Sequence, residues 1–216
     1  MLDEETPCAR GDEGCAGPRK RDREATANAL LDAGKQVFAE RGFDAATTRE
    51  IAARAGVNEQ LIQRYFSGKA GLLLAVVERY GREEAQGCTL PPMTGTCVEK
   101  EIHTFLHHQA EHAWKCREFT KVIMGRALVD PAIAAEMGRT LSESRIPSLL
   151  SRLEALRDKG LIDRDADLPN VAAGIATLSF GLGFLDQVVF AEDNGRVCAV
   201  ARSIATTLAR GLAPKG

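Results

Sequence analysis

Hydrophobic positions recur at helical spacing along most of the chain, and the breaks between repeats are marked by glycine, proline and capping residues. Between residues 25 and 41, Leu30, Ala33, Gly34, Val37 and Phe38 fall on one stripe that stops at Gly42, which predicts a long helix with one buried side. Thr47 stands three residues before Glu50, a pairing in which hydroxyl and carboxylate can each satisfy one orphan backbone donor. Ile51, Ala52 and Ala55 continue on one face. Gly56 can end that short helix in the left-handed conformation, and Asn58 can cap the next one. Ile62 and Phe66, four apart, give the next helix its buried side, and Gly68-Lys69-Ala70 leads into a fourth pattern of Leu72, Leu73, Val76 and Tyr80.

Two short helices joined by Ala55-Gly56-Val57 within residues 47–69 have the form of a helix-turn-helix. The outward side of the second holds Glu59, Gln60, Gln63, Arg64 and Tyr65, side chains long enough to reach base edges or phosphates in a major groove. Arg49, Arg64 and Lys69 flank this helix and are placed for phosphates, contacts that position a protein without reading sequence. An ordinary helical hairpin with a polar solvent face has the same spacing. The long helix before the pair and the apolar one after it favour the DNA-binding reading.

From about residue 25 to residue 80 the chain resembles the DNA-binding domain of the tetracycline-repressor (TetR) family of bacterial regulators. The resemblance rests on Val37-Phe38-Ala39-Glu40-Arg41-Gly42-Phe43, Ala46-Thr47-Thr48-Arg49-Glu50-Ile51-Ala52, Ala55-Gly56-Val57, Tyr65-Phe66 and Lys69. It implies an all-α dimer in which three N-terminal helices bind a palindromic double-stranded operator. A fourth helix then leads to a larger helical domain that pairs subunits and often holds a small effector. On this chain the implied DNA contacts are Thr47, Thr48, Arg49, Asn58, Gln60, Leu61, Gln63, Arg64, Tyr65 and Lys69. Two departures bear on the operator: Gln60-Leu61 replaces small or hydroxyl residues, and Gln63 replaces a tyrosine, at positions read as exposed.

Residues 1–23 read as a disordered leader ending in the basic arm Arg19-Lys20-Arg21-Asp22-Arg23, which could follow the DNA backbone or simply lead into the first helix. Residues 24–86 form the DNA-binding domain with its linking helix, and residues 87–216 the effector-binding and dimerisation domain. In the latter, helices are predicted over 97–114, 117–129, 131–159, 169–191 and 196–211. Pro131 and Pro169 suit first turns, Asp167 is a capping candidate, and Pro147 should kink or split the third of these helices. Ala172, Ala173, Ala176, Ser179, Gly181 and Gly183 make one smooth helix, expected to pair across the subunit interface or to pack within one core. Phe105, Trp114, Met124, Phe180 and Phe184 are candidates for an effector pocket. So is Asp186, whose carboxylate in an apolar run needs a partner or water.

The charge pattern adds to this picture. The net charge is -2, and residues 19–86 are the only segment with more bases than acids, so the case rests on where the bases sit. His103, His107, His108 and His112 fall in one helix, with His108, His112 and Cys116 on a stripe that could chelate zinc or copper. A solvated or pocket-lining face is the expected reading, and no metal or cofactor is expected. The six cysteines include no Cys-x-x-Cys pair and are expected to be reduced. No phosphate-cradling glycine loop, nucleophile elbow or His-Glu-x-x-His pair is present, so an enzyme is not expected. No apolar run was found to reach the length of a membrane span, and a cytoplasmic protein is expected. The second reading is a DNA-binding regulator without a ligand, whose C-terminal domain only dimerises or contacts protein partners.

Overall fold

The computed structural model describes residues 18–87, 90–93 and 95–215. The leader over 1–17, with Cys8 and Cys15, and Cys88 lie outside the described residues. Among those described, all regular structure is helical. Helix α1 (Pro18–Ala45) starts on a proline, which lacks the N–H that a first turn leaves unused. The basic run 19–23 is therefore part of α1, a correction to the arm placed ahead of the helix. The helical path breaks at Gly42, where the stripe of apolar residues stops.

Helix α2 (Thr48–Ala55) opens as the pattern indicated, with the Glu50 N–H donating to Thr47 Oγ1 at 3.1 Å. The reciprocal half of the capping box is absent, because the Glu50 carboxylate turns to Arg41 at 3.5 Å and Arg54 at 3.9 Å. Replacing Thr47 by alanine is expected to cost about 1 kcal/mol. That would appear as a melting temperature roughly 2–4 °C lower, whereas an unchanged melt would mean that water replaces the cap. Gly56, at φ 68, takes the left-handed conformation that turns the chain, and the N–H of Val57 reaches back to the Ala52 carbonyl. Asn58 Oδ1 accepts the Gln60 N–H at 2.8 Å at the entry of α3 (Gln60–Phe66). Helix α4 (Lys69–Gly87) follows. Leu30, Val37, Phe38, Ile51, Ile62, Leu72 and Leu73 are fully buried where these four helices meet, so α3 rests on a rigid floor.

The rest of the chain forms α5 (Val98–Lys115), α6 (Arg117–Ala127), α7 (Pro131–Thr140), a wide π turn (Leu141–Arg145), α8 (Ile146–Asp158), α9 (Leu168–Phe180), a π-helical continuation (Gly181–Val189) and α10 (Asn194–Gly211). The split ahead of α8 falls where Pro147 cannot donate to the preceding turn. Asp167 caps α9 through the Asn170 N–H at 3.3 Å, and Asp193 caps α10 through the Arg196 N–H at 3.0 Å, starting that helix two residues earlier than its apolar pattern suggested. A second core gathers around α5, with Ile102, Phe105 and Leu106 packed against Leu149, Leu153, Ala172, Ile175 and Ala205. At its edge the buried Glu101 carboxylate pairs with Arg152 at 2.9 Å and accepts the Gly95 N–H at 3.2 Å.

These two cores do not divide the chain at residue 87. Phe119 and Ile123 of α6 and Ile133 of α7 belong to the core of the N-terminal helices. The smooth face of α9 is occupied within the protomer: Ala172, Ala176, Ser179 and Gly183 are buried. A Cβ on Gly183 would lie 2.9 Å from Ala113 Cβ and 3.0 Å from Ala110 Cα, so glycine is what lets this segment lie against α5. Its outward row is instead Leu178, Leu185 and Val189, all exposed. Leu168–Val189 is also, at 22 residues, long and apolar enough by composition to cross a membrane, which corrects the sequence reading. Here Leu168, Ile175, Leu182 and Phe184 place one side of it in the interior.

Candidate DNA interface and ligand cavity

Helix α3 presents Gln60, Gln63 and Arg64 outward, exposed, above the buried Ile62. Thr47 and Arg49 are exposed at the start of α2, and Asn58 and Glu59 at the turn. The Thr48 hydroxyl donates to Glu59 at 2.5 Å, tying the first turn of α2 to the entry of α3. Tyr65 is half-buried, edge-on to Phe66, and carries the Arg23 guanidinium 5.2 Å from its ring centroid. Arg23 thus reaches the same surface from α1, forty-two residues earlier. Sequence spacing gives no sign of this, beyond the basic run that contains it.

Two sequence-derived contacts change place. Lys69 does not point outward: its ammonium donates to the carbonyls of Phe43 at 2.9 Å, Asp44 at 3.2 Å and Ala46 at 3.0 Å, and lies 4.6 Å from the Phe43 ring centroid. Three donors meet three acceptors, so it clamps the end of α1 to the start of α4 and has no hydrogen left for a phosphate. Leu61, read as exposed, is partly buried against the N-terminal core. Arg54, a base on α2 that could have served DNA, is held at 2.7 Å by Glu40 of α1. The hydrogen bond from Arg54 keeps the Glu40 carboxyl below its ordinary range despite partial desolvation, so the pair is charged at neutral pH.

Behind this surface lies a cavity of about 280 Å³ at the seam between the two cores. Val77 and Tyr80 of α4 form one wall, Gln109, His112 and Ala113 of α5 another, and Thr120, Ile123 and Met124 of α6 a third. Met137, Gly138 and Thr140 of α7, Arg145 of the π turn, and Ser179, Phe180 and Phe184 close it. Of the residues named as pocket candidates, Met124, Phe180 and Phe184 line this cavity. Phe105 does not, being sealed in the α5 core, and Trp114 is 45% exposed with Arg117 stacked 4.4 Å from its ring centroid. Asp186 is half-buried on the π segment, outside the cavity lining.

At the cavity wall the Tyr80 hydroxyl and His112 Nε2 are 3.0 Å apart. The Tyr80 ring also meets Phe119 edge-on at 5.4 Å and Lys35 of α1 at 4.7 Å. Helix α4 is not the only link between the two halves, as Arg126 of α6 stacks 4.6 Å from the ring centroid of Phe43 on α1. Helix α5 ends at Lys115, and Cys116, whose N–H donates to the His112 carbonyl at 3.1 Å, stands at its junction with α6. Among the described residues no group of three or more His, Cys, Asp or Glu could hold a metal ion. Burial, and then the nearby His112, keep His108 below the ordinary imidazole range. Burial followed by His107 does the same for His103. Both are neutral at pH 7.

Residues 30–76 match the family model described as bacterial regulatory proteins, tetR family. The chain is 26% identical over 181 residues to the HTH-type transcriptional activator FasR of Mycolicibacterium smegmatis, covering 79% of this chain and 78% of that protein. It is 28% identical over 159 residues to the HTH-type transcriptional repressor Rv3405c of Mycobacterium tuberculosis, covering 74% and 72%. Its fold is that of Salmonella enterica GusR, with a TM-score of 0.68 over 90% of this chain and 98% of that one at 19% identity. The helix-turn-helix within residues 30–76 is a DNA-binding domain of the tetR family, and a chain that carries it and whose relatives along most of its length regulate transcription is a transcriptional regulator.

Proposed function

We propose that this chain is a repressor that holds a palindromic operator as a homodimer and leaves it when a small molecule fills the cavity between the two cores. The cavity's position carries the reading. A ligand there touches Val77 and Tyr80 on α4 and Ile123 on α6, in the same packed unit that supports α3. Its binding energy can then favour a dimer geometry in which the two reading helices no longer match successive grooves about 34 Å apart. The exposed row Leu178, Leu185 and Val189 supplies an apolar face for the subunit contact. Pairing adds the affinity that one short helix lacks.

In this reading Gln60, Gln63, Arg64 and Tyr65 face the bases, with Thr47, Thr48, Arg49 and Asn58 at the backbone and Arg23 beside them. The protein works in the cytoplasm, where its DNA is, and the mechanism calls for no cofactor. Selection of bound duplexes from a random pool by the full chain should return a palindrome whose half-sites lie a whole number of helical turns apart. A matching small molecule at a hundred times its dissociation constant should raise stability by about 2.7 kcal/mol and free that duplex. No enriched motif would overturn the regulator reading. A motif that no ligand releases would leave a regulator whose C-terminal helices only dimerise. Loss of the gene should raise expression from the operator, and a fall would make the protein an activator, as FasR is named.

A further inference from the structure

We infer that the cavity takes a compact, uncharged, mainly aromatic molecule bearing one O–H or N–H group, which the side-chain carbonyl of Gln109 accepts. This rests on the cavity being the regulatory site. Gln109 is only 5% exposed, lines the cavity, and its Oε1 has no hydrogen-bond partner among the described residues. A buried acceptor left unpaired is unfavourable, and a ligand donor removes that cost. An anion would meet this oxygen with repulsion, and Arg145, the base in the lining, already has a partner.

The other groups that α5 and α9 bring to the wall are poor substitutes for such a donor. Ala113 and Phe180 have none, the Ser179 hydroxyl donates to the Ala176 carbonyl at 2.7 Å, and His112 Nε2 lies against the Tyr80 hydroxyl at 3.0 Å. Tyr80, Thr120, Thr140 and Arg145 are the other polar residues of the lining, and the rest of its surface is apolar. Phe180 and Phe184 stack with centroids 5.3 Å apart, and Met124 and Met137 share the lining with side chains flexible enough to close on a flat ring. No Asp lines the cavity and no Glu does, so a cation finds no counter-charge. The volume suits roughly ten to fifteen non-hydrogen atoms at the packing density of protein interiors.

Three probes of one shape test this on the full chain by calorimetry: 2-naphthol, 2-methoxynaphthalene and 2-naphthoate. The expected result is one naphthol per protomer, bound at least tenfold tighter than the methyl ether or the carboxylate. In Gln109→Leu, and in the unbranched Gln109→Met as a second background, naphthol and its ether should bind alike while the thermal melt stays cooperative. Equal binding of naphthol and ether to the natural chain, preference for the carboxylate, no binding of any probe, or discrimination that survives both substitutions would each overturn the inference. Operator selection without ligand is measured separately. An intact operator with failed discrimination rejects the ligand class alone, whereas no operator rejects the functional reading and leaves the calorimetry standing.

Discussion

The paired substitution Gln63→Ala with Arg64→Ala should lower affinity for the selected operator at least a hundredfold while leaving the fold untouched. Both side chains are exposed on α3, and the floor beneath them is Ile62, at 1% exposure. Exposed positions of this kind change stability by no more than about 0.5 kcal/mol, so the melting temperature should hold. A side chain that reads a base edge contributes about 1–3 kcal/mol of discrimination. With two such residues on each of two reading helices, the loss is large even at the low end of that range. Fluorescence anisotropy with labelled operator and a scrambled duplex gives the specificity ratio. The loss should fall on the operator and much less on the scramble, because the phosphate contacts proposed for Arg49 and Arg23 would persist in both. Unchanged operator binding by a folded double variant would remove α3 as the reading element.

The N-terminal half was legible because its signals are local. Thr47, Gly56 and Asn58 act on backbone groups within five residues, and the apolar stripe from Leu30 to Phe38 names its own buried side. What failed there depends on distance in sequence. Glu50 had a choice between the N–H of Thr47 and two guanidinium groups, and the charged partners, one of them on α1, won it. Leu61 is one residue from the outward Gln60, yet the helix turns it toward the core.

In the C-terminal half, periodicity shows that a face is buried without naming what covers it. Small residues at Ala176 and Gly183 do mark close helix approach, but the neighbour is α5 of the same chain, and the outward face is the leucine row beside it. Helix α6 reads as amphipathic, yet only the fold reveals that its Phe119 and Ile123 complete the N-terminal core. Bulk misled for a similar reason. Phe105 sits mid-helix under Leu149 and Ala205 and is sealed, while Trp114 lies one residue from the end of α5 and is left at the surface. Gln109, the polar group most telling for ligand chemistry, has no sequence signature at all: a glutamine in a helix is ordinary until its oxygen is found buried and unpaired.

Lys69→Met should destabilise the chain by about 2–4 kcal/mol, a drop in melting temperature on the order of 10 °C. Methionine preserves the length and apolar stem but removes a charge that three carbonyls share. Those carbonyls belong to Phe43, Asp44 and Ala46, around the point where α1 ends after the break at Gly42. Without the ammonium, three acceptors converge with nothing between them, and the turn that orients Thr47 and α2 loosens. The two roles open to Lys69 separate cleanly in salt. A phosphate contact contributes about 0.9 to the slope of log affinity against log salt for each charge neutralised, so a dimer losing two such contacts would show a slope shallower by nearly two. As a clamp, Lys69 contributes nothing to that slope. A stable variant with a flattened slope would return Lys69 to the DNA backbone, whereas a less stable variant with an unchanged slope, measured well below its melting temperature, places it in the structure that holds α2 and α3 in register.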